Sequence, residues 1–133
     1  MKTVDPFYDT NVVLYLLSSD PVKADRAEAL LAAGGRISVQ VLNEFAAVAS
    51  RKLGLSWAEI GEAVDVVRAV CPVEPLTVET QRARRIAERY GFRFYDVLIV
   101  AAALLAGCTV LYSQDLQPGQ KIDSQLTVVD PFR

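Results

Sequence analysis

Apolar residues recur in short blocks along the chain, and the spacing within each block indicates the element it forms. Phe7 and Tyr8 read as the end of an extended segment reaching Asp9, and Pro6, which removes a ladder donor, predicts that this strand is short. The run "NVVLYLLSS" reads as a short helix. Asp20 followed by Pro21 predicts a helix start, with Asp20 as N-cap and Pro21 at the first helical position, and Gly34-Gly35 ends that helix. "RISV" is a short strand, and the segment from about Gln40 to Leu53 sets Leu42, Phe45, Ala46, Ala49 and Leu53 on one helical stripe. Ser56 with Glu59 makes a capping box for a helix to about Ala69. "VCPVEPL", broken by prolines, predicts an edge strand or a connection. Thr77 can cap a helix ending near Tyr90, with Gly91 just past its end. Asp96 then opens an apolar helix over Val97–Ala106, Gly107 closes it, and "TVLYS" is a buried strand leading into the loop "QDLQPGQ". Alternating extended and helical segments predict an α/β domain with a mainly parallel sheet.

The 133 residues have the length of one domain, 1–133, with no composition break. The longest apolar run is too short to span a bilayer, and the N-terminus lacks a signal-peptide pattern, so a cytoplasmic protein with no membrane segment is expected. Cys71 and Cys108 stand far apart beside apolar neighbours, as buried reduced thiols do. Histidine is absent. That excludes His-based acid–base catalysis, Ser-His and Cys-His machinery and the usual zinc sites, and leaves carboxylates as the working groups of an enzyme. The net charge of −2 argues against broad electrostatic binding of nucleic acid. A local strip of Arg82, Arg84, Arg85, Arg89 and Arg93 reads either as a solvated helix face, its stems covering apolar surface, or as a phosphate track.

Three acids share an address on this map. Asp9 and Asp115 lie just beyond apolar strands, and Asp96 lies in the first turn of a helix. In a parallel sheet the carboxyl ends of the strands and the N-termini of the following helices form the edge where ligands bind. Singly, Asp96 reads as a helix cap and Asp9 and Asp115 as turn residues. Gathered together, they stay ionised only beside a compensating cation or basic group, and all-oxygen ligation selects Mg²⁺ or Mn²⁺. Glu44 falls outside the apolar stripe and reads as solvent-facing, although it sits one turn into the helix after "RISV", near the same edge.

The blocks "FYDTNVVLYLL", "ISVQVLNEFAAVASRK", "YDVLIVAAALLAGC" and "LYSQDLQPGQKID" together resemble, in order and spacing, the four acidic blocks of PIN-domain ribonucleases, especially the VapC-type toxins of toxin–antitoxin pairs. The resemblance covers nearly the whole chain and implies a three-layer α/β/α PIN-like domain with a short, mainly parallel central sheet. It places the acidic quartet on Asp9, Glu44, Asp96 and Asp115. Asp9, Asp96 and Asp115 would hold Mg²⁺ or Mn²⁺, and Glu44 would be a further ligand or would orient water. Asn11 would support the first acid, and Ser113 would bond a metal ligand or substrate phosphate; local turn capping is the alternative for both and for Thr10. The implied activity is endoribonucleolytic, leaving a 5′ phosphate and a 3′ hydroxyl, with Arg85 and Arg89 as candidate RNA contacts. The implied partners are the RNA substrate, a cognate antitoxin and a second copy of the chain, with Leu14, Leu17, Leu55 and Trp57 as candidate contacts.

Gln117 stands where many relatives carry another acid, which puts a full second metal site in question. A receiver domain or a haloacid-dehalogenase-type phosphatase also sets aspartates at a strand edge. The first wants an acidic pair after its first strand and the second Asp-x-Asp, and Asp9-Thr10-Asn11 fits neither. A PIN-like RNA-binding or interaction module without catalysis is the remaining alternative.

Overall fold

The computed structural model describes residues 5–74 and 80–133. Strand β1 (Phe7–Tyr8) runs at once into helix α1 (Thr10–Leu14) and a 3-10 turn (Tyr15–Leu17). Helix α2 (Pro21–Ala32), strand β2 (Ile37–Ser38), α3 (Val39–Arg51), α4 (Trp57–Val70) and β3 (Val73–Glu74) follow. The second half holds α5 (Thr80–Tyr90), α6 (Phe94–Leu105), β4 (Val110–Tyr112), β5 (Lys121–Ile122) and β6 (Leu126–Val129). Helix starts fall where a side chain fixes them. Asp20 accepts a hydrogen bond from Val22 N–H with Pro21 at the first helical position, and Ser56 and Glu59 exchange both bonds of the capping box. Thr77 lies outside the described residues.

Strands β1, β4 and β6 run parallel in that order, and β5 closes the edge antiparallel to β6. β2 and β3 pair parallel with each other. A parallel bridge between Phe7 and Arg36 joins this pair to β1: Tyr8 N–H donates to the Arg36 carbonyl at 3.0 Å, and Arg36 N–H donates to the Pro6 carbonyl at 2.8 Å. β1 is two residues long, as expected of a strand that begins behind Pro6. Helices cover both faces, which gives the three-layer α/β/α arrangement. Sequence reasoning did not anticipate β5 and β6. They are joined through Asp123 and Ser124, both left-handed at φ 50° and 56°, a conformation Asp tolerates in tight reversals.

Phe7, Val12, Ile37, Phe45, Val97, Leu111 and Val128 are fully buried at the centre of the core. Each such side chain contributes roughly 1.5–3 kcal/mol relative to exposure. Helix α6 is apolar along most of its length because most of it is buried: Val97 and Ile99 through Leu104 are buried, Leu98 is half-buried, and its last residue, Leu105, is exposed. Helix α3 is rotated from the expected stripe. Its buried face is Gln40, Val41, Phe45 and Ala49; Leu42 and Ala46 are half-buried, and Leu53 lies past the helix end, exposed. Gly35 is required by proximity, since a Cβ there would meet the Tyr8 ring at 2.0 Å. Cys71 and Cys108 are buried and outside any disulfide, and burial, helped by Asp5, pushes the Cys71 thiol up to about 11, away from nucleophilic chemistry. Among the described residues no helix is long and apolar enough to cross a membrane.

Candidate active site

Because β1, β2 and β4 are parallel within the joined sheet, their carboxyl ends share one edge. Each chain segment leaving that edge carries an acid or its support: Asp9 after β1, Glu44 on the helix after β2, and Ser113 and Asp115 after β4. Helix α6 leads back to the start of β4, so its N-terminal turn, with Asp96, faces the same edge.

Asp9 is the anchor. It is 4% exposed and caps α1, its Oδ1 accepting from Thr10 N–H at 2.7 Å. Its Oδ2 accepts from the buried Ser113 hydroxyl at 2.7 Å, and its own N–H donates to the Tyr112 carbonyl at 2.9 Å. Ser113 Oγ also accepts from the N–H groups of Asp115 and Leu116 at 3.2 and 3.3 Å. The same hydroxyl therefore both bonds the first acid and caps its own turn. Thr10, read from sequence as a turn residue, donates its hydroxyl to Glu44 Oε2 at 2.7 Å. Gln40, one turn before Glu44, donates Nε2 to Oε1 at 2.9 Å. These two bonds turn Glu44 away from the solvent-facing position that helical periodicity assigned to it. Sequence reasoning missed Gln40, whose signal is a polar residue on the buried side of a helix four positions before an acid.

Burial pushes the Asp9 carboxyl up to about 6; the bonds from Ser113 and Thr10 pull it back, and the charges of Asp115 and Asp96 raise it again. Asp96 is also raised, first by its own burial and then by Asp115 and Glu44, with Arg93 opposing. Asp9 and Asp96 thus each sense neighbouring carboxylates, and both are raised first by burial. Helix α6 begins two residues earlier than expected, so its N-cap is Arg93 and Asp96 is its third residue rather than its cap. Asp115 is exposed on the turn after Ser113.

Among the described residues no Lys or Arg forms an ion pair with Asp9, Asp96 or Asp115. Nor, among them, do three acidic side chains converge into a closed cation cage. An all-oxygen set with one buried, uncompensated carboxylate and two more accessible ones fits a hard divalent cation bound openly, through one or two carboxylates, with water and phosphate completing the shell.

The family model described as PIN domain matches residues 7–120. The chain belongs to the PIN-domain family. No curated protein sequence matches it. Among solved structures, this PIN domain is similar to a toxin–antitoxin complex from Klebsiella pneumoniae (TM-score 0.70, 18% identity, 95% of this chain and 97% of that one). VapBC2 from Rickettsia felis, bound to a promoter DNA fragment, gives TM-score 0.68 at 18% identity over 92% and 96% of the two chains. The Mycobacterium tuberculosis VapC20 toxin, which cleaves the sarcin–ricin loop, gives 0.63 at 20% over 83% and 89%.

Beyond the acids, one contact differs from expectation. Asn11 does not bond Asp9. As the second residue of α1 it reaches the loop after β4, where its Oδ1 accepts from Gln114 N–H at 3.3 Å; Tyr15 adds a hydroxyl bond to the Gln114 side chain. Arg85 and Arg89 are both exposed on α5, and Arg89 is paired with Asp123 at 3.7 Å and lies against the Tyr90 ring. The side chains of Arg82 and Arg84 lie outside the described set. Leu14 and Leu17 are half-buried and, with Tyr15, Val48 and Leu53, line an apolar cavity of about 310 Å³ that also includes Asn11. Leu55 is half-buried, and Trp57 is 72% exposed.

Proposed function

We propose that this PIN domain is a Mg²⁺- or Mn²⁺-dependent endoribonuclease, the toxin of a toxin–antitoxin pair. The observation that carries the reading is Asp9, a buried carboxylate without a basic partner among the described residues, held by Ser113 and Thr10 at an edge with three further acids. Asp9, Asp96 and Asp115 would hold the cation, one or two of them directly and the rest through its bound water, and Glu44 would join them or orient water. When bound, the ion would supply positive charge against the scissile phosphate and acidify the attacking water. The chain's own part is geometric. Ser113 and Thr10 fix the Asp9 carboxylate in one rotamer, and Thr10 and Gln40 fix Glu44, so the acids need no reordering when phosphate arrives. Exposed Asp115 and half-buried Asp96 leave the outer side of the site open to an RNA strand.

Purified wild-type chain, free of any partner, is expected to cleave cellular RNA with millimolar Mn²⁺, leaving 5′ phosphates, and to stop in EDTA. Cleavage that persists in EDTA would sink the metal dependence, and no cleavage of any RNA together with no thermal shift by Mn²⁺ would sink the nuclease reading in favour of a non-catalytic module.

Arg85 and Arg89 would contact RNA phosphates. Arg85→Ala is expected to weaken RNA binding more at 50 mM salt than at 200 mM, reducing the salt slope by about 1, and Arg89→Ala to do less because Asp123 already engages that side chain. An unchanged slope in both variants removes the track. The antitoxin would seat an apolar segment in the cavity beside Leu14 and Leu17, and a second copy would complete a homodimer; light scattering of the chain with and without its partner reads both.

A further inference from the structure

We propose that Gln40 is a positioning residue for Glu44: together with Thr10 it forms a two-sided clamp that fixes the Glu44 carboxylate at the acidic edge. The clamp is a property of the fold, and its consequence for metal binding and cleavage rests on the nuclease reading.

Each Glu44 oxygen is held from a different element. Thr10, the first residue of α1, donates to Oε2, and Gln40, one turn earlier on α3, donates to Oε1. Side chains four apart on an exposed helix face interact weakly because water competes for both. Here both donors are 7% exposed, and a charge-assisted bond sheltered from water is short and firm. The position of Gln40 adds to the argument. It lies on the buried face of α3 with Val41, Phe45 and Ala49, where an apolar side chain would pack without desolvating an amide. Glu44 is the acid that this buried amide serves. Thr10 meanwhile bonds Asp9 through its backbone and Glu44 through its hydroxyl, so one residue sets the relation between two acids from different helices. Two bonds from opposite sides block rotation of the carboxylate while leaving each oxygen a further lone pair for water or cation. Glu44 also lies near enough to Asp96 to raise its pKa, which places the clamped group among the acids.

Gln40→Met keeps length and bulk and removes the donor. In the full chain it is expected to weaken Mn²⁺ binding, read by calorimetry, or kcat for RNA cleavage by about 10- to 100-fold, with KM for RNA and the melting temperature little changed. In Glu44→Gln the same substitution is expected to add nothing, because Gln40 acts through Glu44; losses that add in the double variant would mark an ordinary packing role and overturn the proposal. Full activity and Mn²⁺ affinity in Gln40→Met would overturn it as well. If the wild type neither binds Mn²⁺ nor cleaves RNA, the nuclease reading fails and the clamp is judged on the Gln40 side-chain amide signals by NMR. These are expected to be shifted and slow to exchange in wild type and ordinary in Glu44→Ala; ordinary signals in wild type overturn the clamp.

Discussion

Asp9→Asn is expected to abolish RNA cleavage, a loss on the order of 1000-fold or more, or about 4 kcal/mol of barrier, while making the metal-free protein more stable at pH 8. The two effects share one cause. Asp9 is buried without a basic partner among the described residues, and lifting its carboxyl from 3.8 to about 6 means that ionisation at neutral pH costs the fold on the order of 3 kcal/mol. The neutral amide removes that cost. It also loses part of what it replaces, because an amide nitrogen facing Ser113 cannot accept the hydroxyl proton now given to Oδ2, and Ser113 already serves two backbone N–H groups. A net gain of about 1–2 kcal/mol is therefore expected from the removed charge less one disturbed hydrogen bond. Urea melts at pH 8 in EDTA, alongside RNA cleavage in Mn²⁺, check both halves. A structural capping residue would show the reverse pattern, with lost stability and retained cleavage by the folded fraction.

The same division between local and tertiary signals explains how much was legible in the sequence. Asp20-Pro21 and Ser56/Glu59 declare helix starts through bonds made within four residues, and the structure has both. The parallel edge that collects Asp9, Asp96 and Asp115 was legible because strand, turn and helix order dictate it. Glu44 was not, because its orientation is set by Thr10 from another helix, and a helical wheel carries no such term. Gln40 was passed over for a related reason: its burial follows from the rotation of α3 about Phe45, which the expected stripe of Leu42, Ala46 and Leu53 placed differently. The strands β5 and β6 are two and four residues long and follow a polar loop. Their existence depends on β6 pairing with β4, a contact made by main-chain groups rather than by any local pattern.

Stability of the metal-free chain is expected to fall as pH rises from about 4 to about 7, and Mn²⁺ to reverse that fall. For a carboxyl whose folded pKa is raised, the folded state holds the proton more tightly than the unfolded state. Its contribution is complete below 3.8, the ordinary value, and is lost as pH climbs through about 6, where Asp9 ionises inside the fold. Asp96 is raised too and adds in the same direction. The window is therefore pH 4 to 7, with little further change from these groups above it. A cation that binds the ionised acids draws them back into a favourable state. At a concentration about 100-fold over its dissociation constant it adds roughly 2.7 kcal/mol. Below pH 6 binding must displace the Asp9 proton, so Mn²⁺ affinity is expected to weaken by up to about tenfold per pH unit there. Melts at pH 5 and pH 8, with Mn²⁺ and with EDTA, give four numbers. Mn²⁺ should stabilise strongly at pH 8 and weakly at pH 5, and Asp9→Asn should lose most of the pH slope, keeping the part that Asp96 adds, and most of the metal effect. Equal stabilisation at the two pH values would mean that the ion binds away from Asp9, and a slope undiminished in Asp9→Asn would assign the titration to another group.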